Sequence, residues 1–359
     1  MSNIPDGRPP IRGRGASFNP PVRFEPTSVE PFDDGWGVDD PDRPQPRTEI
    51  LTDRSRRIIT ENQSPDVPFD QSINPYLGCE HGCIYCYARP SHAHWGLSPG
   101  LYFETRIFAK PAAADLLERE LARPGYRCRV IALGANTDPY QPVERRLTIT
   151  RRILKVLAAT RHPVGIVTKS AAVVRDLDLL GPMAQLGLAS VAISITTLDR
   201  ALARRLEPRA VAPHRRLGAI AQLRAAGVPA GVMVAPIIPG LTDSEIEAIL
   251  ESARAAGANH AGHTLIRLPR EVGELFRTWL QTHAPGKADR VLELIRQCRG
   301  GRLNDPRFRH RMRGEGAYAA MLNKRFALAC RQLGFAGRSL ELRTDLFLPP
   351  RRSQQLSLL

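Results

Sequence analysis

The sequence predicts an α/β fold in which a parallel sheet is built from six strand–helix units. Short runs rich in Val and Ile, of strand length, alternate with amphipathic stretches of helix length. Polar residues follow directly after several of these runs, as they do at the carboxyl ends of parallel strands. The expected architecture is therefore a six-stranded parallel sheet covered by helices.

The expected strands begin with one that leads into a cysteine-rich loop after residue 72. The others cover residues 130–134, 164–169, 190–196, 231–238 and 260–268. Between them, helices are predicted over residues 147–160, 173–186, 213–226 and 243–256.

Changes in composition divide the chain into four segments. Residues 1–64 are rich in Pro, Gly, Arg and Asp and predict a disordered or extended arm, in which 48–60 contain β-branched residues that suit an added edge strand. The core is expected over residues 65–282. A basic helical extension covers 283–348, with helices at 288–298 and 316–333, and a flexible tail covers 349–359.

The charge is positive and unevenly placed. The formal net charge is +15, and residues 283–359 carry 16 Lys and Arg against 6 Asp and Glu. Only five of the 51 basic residues are lysines, so the arginine count by itself reflects a compositional bias. A basic block at one end indicates a polyanionic partner. Without a membrane-length apolar run or an apolar N-terminal signal, the sequence indicates no membrane contact and a cytoplasmic location.

Three of the six cysteines are clustered in the loop that follows the first core strand. Cys79, Cys83 and Cys86 have the spacing C-x3-C-x2-C, with Gly78 and Gly82 supplying backbone freedom. A cubane [4Fe–4S] cluster normally takes four thiolates, so three leave one iron open for a substrate or cofactor. The alternative is a zinc site completed by His92 or His94. The second CxxC-type pair of most zinc motifs is missing, which favours iron and sulfur.

This motif resembles the signature of the radical S-adenosylmethionine (SAM) superfamily. The resemblance implies an α/β fold with an open (β/α)6 partial TIM barrel, which has the same number of strand–helix units as the sequence predicts. The resemblance implies a [4Fe–4S] cluster whose open iron chelates SAM, with one-electron cleavage to a 5′-deoxyadenosyl radical that abstracts hydrogen. It places Tyr85 beside the adenine of SAM. It also implies a flavodoxin- or ferredoxin-type electron donor.

Within the superfamily, the order of motifs is similar to spore photoproduct lyase and nearest to an uncharacterised bacterial branch of that group. The shared blocks include Cys79–Cys86, 136–138, 167–169, 194–195 and 234–237. The resemblance assigns the cluster to the three cysteines and implies SAM contacts for Tyr85, Asn136, Thr137, Asp138, Lys169, Ser194, Thr196 and Ala235. Lys169, at the end of an apolar strand in a lysine-poor chain, is the expected partner of the SAM carboxylate.

One departure concerns the hydrogen donor. The lyase has a donor cysteine three residues ahead of the shared aspartate, where this chain has Ala135. Tyr87 matches a tyrosine that the lyase uses to return hydrogen. Tyr87 and Tyr140 are therefore the candidate catalytic residues.

The expected function is a radical SAM enzyme acting on nucleic acid, in DNA repair or modification. Phe308 among the arginines of residues 299–313 suits phosphate pairing and base stacking. Two alternatives stay open: a radical SAM enzyme for a peptide, protein or metabolite, and a non-catalytic iron–sulfur protein that binds nucleic acid.

The last five residues suggest a further partner. Gln355, Leu356, Ser357, Leu358 and Leu359 resemble the short peptide by which bacterial repair proteins dock on the DNA sliding clamp. Leu359 replaces the usual closing aromatic. The hypothesis is that this tail recruits the protein to DNA.

Overall fold

A computed structural model describes residues 10–24, 46–335 and 341–350 of the chain. Its strands are β1 (Glu49–Thr52), β2 (Thr60–Glu61), β3 (Gln71–Ile73), β4 (Tyr76–Leu77), β5 (Arg106–Ala109), β6 (Ile131–Leu133), β7 (Val164–Thr168), β8 (Ala189–Ser194), β9 (Ala230–Ile237) and β10 (His260–Leu265). Its helices are α1 (Tyr102–Thr105), α2 (Ala113–Leu121), α3 (Glu144–Leu147), α4 (Ile149–Ala159), α5 (Leu177–Gln185), α6 (Arg200–Leu206), α7 (Pro213–Ala225), α8 (Ile246–Ala255), α9 (Glu271–His283), α10 (Ala288–Gln297), α11 (His310–Arg313) and α12 (Gly316–Gln332).

The main sheet has seven strands in the order β10-β9-β8-β7-β6-β3-β2. Six of these strands, β10, β9, β8, β7, β6 and β3, pair with one another in parallel. The two-residue β2 pairs with β3 in the antiparallel direction. Six parallel strands with helices between them confirm the predicted α/β fold with its central parallel sheet. The carboxyl ends of these strands lie at one edge, which is where parallel α/β folds place their functional groups.

The strands and helices form because their apolar residues share one core. Val164, Ile166, Val191, Ile193 and Val232 in the middle of the sheet are almost completely buried. Helix α4 adds buried Ile153, Leu154 and Leu157, whose spacing places them on one helix face. Each fully buried aliphatic side chain contributes roughly 1.5–3 kcal/mol relative to an exposed one.

Two described parts of the expected N-terminal arm pack against the core. Strand β1 pairs in parallel with β5 in a separate three-stranded sheet, and β2 extends the edge of the main sheet. Ala16 and Phe18 are buried, and the N–H groups of Gly15 and Ala16 both donate to the Glu104 carboxylate. Residues 10–24 are thus anchored by a buried side chain far along the sequence, and residues 46–64 are held by strand pairing. The expected added strand within residues 48–60 is present, as β1 with the start of β2.

The C-terminal extension contains the two predicted helices, α10 and α12, preceded by α9. Helix α12 packs on α8 and on α10. Within the described residues, every helix is too short or too polar to span a membrane. The proposed clamp-binding tail, residues 355–359, lies outside the described residues.

Candidate functional site

The three clustered cysteines lie on one loop, the cluster loop (residues 78–88), between β4 and a short 3-10 helix over Arg89–Trp95. Cys79 and Cys83 are buried and Cys86 is half-buried. Gly82 has a φ of +67°, and a Cβ there would come within 2.7 Å of the Glu104 carboxylate. Glycine is therefore required at this position both by the left-handed backbone and by the close contact.

A fully buried ion pair holds the cluster loop from behind. Arg89 and Glu104 are both about 0 % exposed, and their side chains are 2.5 Å apart. Arg89 also donates through Nε to the carbonyl of Cys83, at 3.0 Å, and through Nη1 to the carbonyl of Gly100, at 2.9 Å. Because Arg89 is only three residues past Cys86, it fixes the curvature of the loop that carries the cysteines.

The donor set of this loop fits an iron–sulfur cluster. All three thiols are free of disulfide bonds. Burial raises the pKa of each thiol above its ordinary value, so a buried thiolate here needs a positively charged partner such as a metal centre. His92, proposed for the zinc alternative, contacts the carbonyl oxygen of Arg106 through Nε2 at 2.9 Å and packs its ring on Phe103, while its Nδ1 is buried without a hydrogen-bond partner among the described residues.

Asp138 joins the cluster loop to the strand edge. Its carboxylate accepts from the Thr168 hydroxyl at 2.6 Å and the Lys169 N–H at 2.7 Å, and lies 3.3 Å from Nδ1 of His81. Burial acts to raise the pKa of Asp138, but His81 and these hydrogen bonds outweigh it and hold the pKa below its ordinary value. The carboxylate therefore stays charged and connects the loop to the end of β7.

Glu207 is the centre of a second buried network, beside Tyr85. It accepts hydrogen bonds from the hydroxyls of Tyr85 and Thr196 and pairs with Arg216 and Lys169. Burial alone would raise the pKa of Glu207, but the two cations and the hydroxyl donors lower it below its ordinary value. Burial, and then the charge of Glu207, raise the pKa of Tyr85 well above its ordinary value, so Tyr85 stays a hydroxyl donor.

Lys169 lies at the end of β7, as predicted, with its ammonium inside this network. Nζ donates to the Ala235 carbonyl at 3.0 Å and the Thr196 hydroxyl at 3.3 Å, and it is 3.2 Å from Glu207. Ser194, at the end of β8, is buried, and its carbonyl accepts from Arg216. The structure thus brings together Tyr85, Lys169, Ser194, Thr196 and Ala235.

The segment after β6 has structural contacts. The N–H groups of Asn136 and Thr137 donate to the side chain of Asn74, and the Thr137 hydroxyl donates to the Tyr76 carbonyl at 2.7 Å. These contacts fix the turn that presents Asp138.

The two candidate tyrosines lie in different environments. Tyr87 is 42 % exposed, its hydroxyl donates to the Ala135 carbonyl, and Arg267 stacks on its ring with the guanidinium carbon 4.9 Å from the centroid. Tyr140 is 1 % exposed and its hydroxyl donates to Asp176 at 3.0 Å. The structure therefore does not bring Tyr140 into the site as a hydrogen donor, because its hydroxyl is buried and already bound.

Sequence reasoning missed four functional neighbours. Arg89 and Glu104 support the cluster loop, Arg216 neutralises Glu207, and Arg267 covers Tyr87. Arg89 lies 15 residues from Glu104, and Arg216 lies nine residues from Glu207. Arg267 contacts Tyr87 from a distant part of the sequence. None of these side-chain contacts follows a periodic sequence pattern.

Comparisons with known proteins agree with this geometry. The family model of the radical SAM superfamily matches residues 73–253. An uncharacterized protein of Mycobacterium tuberculosis is 38 % identical over 249 residues, covering 69 % of this chain and 72 % of that protein. An uncharacterized protein of Methanocaldococcus jannaschii is 28 % identical over 204 residues, covering 55 % of this chain and 71 % of the relative.

Among solved structures, spore photoproduct lyase complexed with dinucleoside spore photoproduct is similar in fold. It has a TM-score of 0.56 at 16 % identity, with 80 % of each chain covered. Members of the matched superfamily are enzymes that use a [4Fe–4S] cluster and SAM. The cysteine motif, the six parallel strands of the main sheet and the family match over half of the sequence lead to one conclusion: the chain is an enzyme of the radical SAM superfamily.

Proposed function

We propose that this enzyme binds a site-differentiated [4Fe–4S] cluster and SAM at the carboxyl edge of its sheet and abstracts hydrogen from nucleic acid. The observation that carries the proposal is the position of three cysteines, two buried and one half-buried, on one braced loop beside the Lys169–Glu207 network. Cys79, Cys83 and Cys86 are the proposed ligands. Together, cluster and SAM supply a 5′-deoxyadenosyl radical.

Anaerobic reconstitution tests the cofactor part of this proposal. We expect about four irons per chain and an electron paramagnetic resonance spectrum of the reduced protein that changes on adding SAM, because three protein ligands leave one iron open. A spectrum that does not respond to SAM would favour a cluster with four protein ligands and a structural role, as in the non-catalytic alternative.

Lys169 is proposed to bind the carboxylate of SAM. Its side chain is 15 % exposed and its ammonium is held by Ala235, Thr196 and Glu207, so it is positioned before the ligand arrives. Pre-positioned donors lose little entropy on binding. Tyr85, Ser194, Thr196 and the Ala235 carbonyl are proposed to surround the rest of SAM, with Asn136, Thr137 and Asp138 shaping the adjacent turn.

Replacing Lys169 by alanine is expected to weaken SAM binding by roughly 10- to 100-fold. This corresponds to the loss of a charge-assisted hydrogen bond of about 1.5–3 kcal/mol. Calorimetric titration of the reconstituted protein measures the effect, and iron content should be unchanged. Lys155→Ala removes an exposed lysine from α4 and is the matched control. Equal SAM affinity in both variants would remove Lys169 from the SAM site.

Tyr87 is proposed as the residue that returns hydrogen to the product radical. Its hydroxyl is anchored on Ala135, the position where the lyase has its donor cysteine, and its ring is held by Arg267. Arg267 in turn contacts Met312 on α11, so Tyr87 is connected to the basic C-terminal loop (residues 299–313).

The basic C-terminal loop supports nucleic acid as the substrate, with a smaller set of arginines than the sequence suggested. Arg299 is buried and donates to the carbonyls of Leu265 and Ile266. Arg307 pairs with Asp305 and Glu315, and Arg311 with Asp66. The exposed arginines with no side-chain hydrogen bond to another described residue are Arg302, Arg309 and Arg313, beside Phe308, which is 54 % exposed.

Replacing Arg302, Arg309 and Arg313 together by alanine is expected to weaken nucleic-acid binding and to flatten its salt dependence. Each neutralised phosphate contact should lower the slope of log affinity against log salt by roughly one unit. Fluorescence anisotropy with a labelled oligonucleotide between low and moderate salt measures the slope. A triple variant at Arg123, Arg145 and Arg152, which are exposed outside this loop, is the control. Equal slopes in the two variants, or no binding at low salt, would favour the peptide, protein or metabolite alternative.

The C-terminal pentapeptide is proposed to bind the sliding clamp. The support is its sequence alone: closing leucines suit a preformed apolar groove, and Gln355 suits hydrogen bonding that sets the register. A peptide of the last ten residues should bind a bacterial clamp with micromolar affinity in calorimetry, and Leu358→Ala should abolish binding. Failure of the unmodified peptide to bind at high micromolar concentration would exclude this partner.

A further inference from the structure

The arginine basin is a cavity of about 630 Å³ between the N-terminal arm and the cluster loop. Five arginines from four separate parts of the chain line the cavity, together with a single carboxylate. The arginines are Arg12, Arg14, Arg47, Arg146 and Arg209, and the carboxylate is that of Glu80.

The floor of the arginine basin is ordered by hydrogen bonds. Glu80, which is 4 % exposed, accepts from the Thr48 hydroxyl at 2.7 Å and lies 3.1 Å from Nη2 of Arg209. Arg14 donates to the Pro46 carbonyl at 2.7 Å and to the Glu104 carbonyl at 2.9 Å. The arm is thereby fixed against the loop, and the basin has a defined shape.

The rim of the basin is exposed and strongly positive. Arg12, Arg47 and Arg146 are all exposed, and none has a side-chain hydrogen bond to another described residue. Within one Debye length, guanidinium groups attract a negatively charged partner and raise its rate of association.

The basin touches the cluster loop directly. Glu80 follows the proposed cluster ligand Cys79 in sequence, and its N–H donates to Gln141, whose side chain in turn donates to the Gly78 carbonyl. The N–H of Arg209 donates to the carbonyl of His81. A protein docked on the basin would therefore meet the outer side of the loop that carries the three cysteines.

We infer that the arginine basin is the docking surface for an acidic one-electron carrier protein of the flavodoxin type. This inference rests on the proposed function, because reductive cleavage of SAM requires one electron from outside the protein. The carrier arrives reduced and leaves oxidised by one electron, which the enzyme gains. A redox partner needs a small, charge-complementary surface close to the accepting group, and the basin combines both properties. The surface proposed for nucleic acid is separate and lies at Arg302, Arg309 and Arg313.

The direct test measures binding of a purified, FMN-loaded acidic bacterial flavodoxin in its oxidised state to the full-length protein. Wild-type affinity should fall as salt rises. Arg12→Glu combined with Arg146→Glu should weaken binding at least tenfold at low salt. The matched control, Arg123→Glu with Arg331→Glu, makes the same charge change near the end of α2 and on α12 without lining the basin, and should change affinity less than twofold.

A second measurement separates this inference from the proposed function. With dithionite as reductant, the basin variant should form 5′-deoxyadenosine as fast as wild type, whereas with reduced flavodoxin it should be at least tenfold slower. Equal losses in the basin and control variants, or loss of oligonucleotide binding instead of flavodoxin binding, would overturn the docking assignment. Absence of 5′-deoxyadenosine from the wild type with dithionite would refute the proposed function, while the binding comparison would still decide the docking surface.

Discussion

Replacing Cys83 by alanine is expected to remove most of the iron from the reconstituted protein and all of its SAM cleavage. Cys83 is 8 % exposed, and Arg89, itself paired with buried Glu104, holds its carbonyl at 3.0 Å, so the backbone at Cys83 is fixed within the loop. Two thiolates are too few to hold the cluster at three corners. Iron content and absorbance near 400 nm measure the loss.

Cysteine variants elsewhere in the chain are the controls for this experiment. Cys128, Cys298 and Cys330 lie outside the cluster loop, and alanine at these positions should leave both iron content and SAM cleavage intact. Full iron content in Cys83→Ala would show that the C-x3-C-x2-C loop is not the cluster site. The same reasoning applies to Cys79 and Cys86.

Replacing Glu207 by alanine is expected to lower the free energy of unfolding by about 3–5 kcal/mol, because it leaves Arg216 as a buried charge without its partner. Both side chains are 1 % exposed, and Arg216 bonds the carbonyls of Ser194 and Val211 besides Glu207, so it cannot turn to solvent. Denaturant unfolding of the protein measures the change.

The control for Glu207 is an exposed ion pair. Asp345 pairs with Arg343 at 2.7 Å, but both side chains are more than half exposed, so Asp345→Ala should leave the free energy of unfolding nearly unchanged. A loss below about 1 kcal/mol in Glu207→Ala would contradict a buried charge network at this position. SAM binding should also fall in Glu207→Ala, since Lys169 and Tyr85 lose their shared partner.

The parallel sheet could be predicted because its strands are short runs of β-branched residues. Val164–Thr168 and Ala230–Ile237 lie within one residue of their expected bounds. Local patterns of this kind persist in the fold because both faces of a parallel strand are buried. The three cysteines and Lys169 were also accessible to sequence analysis, since spacing and position after a strand are local properties.

The supporting contacts could not be predicted in the same way. Glu104 accepts from the backbone at Gly15 and Ala16, 88 or more residues away, and nothing in the composition of that proline- and glycine-rich segment indicates the contact. The charge pattern also overstated the basic loop: Arg299 and Arg311 are engaged by carbonyls and by Asp66 within the fold. Whether a charge is available for a partner depends on tertiary contacts.

The central claim is that this radical SAM enzyme acts on nucleic acid, and mass spectrometry of its nucleoside product tests it most directly. The reconstituted protein is incubated anaerobically with SAM and dithionite in three samples, which contain duplex DNA, RNA or no nucleic acid. The DNA and the RNA carry deuterium at carbon positions of their nucleotides. The account predicts that one nucleic acid raises 5′-deoxyadenosine formation several-fold and transfers deuterium into it. Equal formation in all three samples, with no deuterium transferred, would contradict the account.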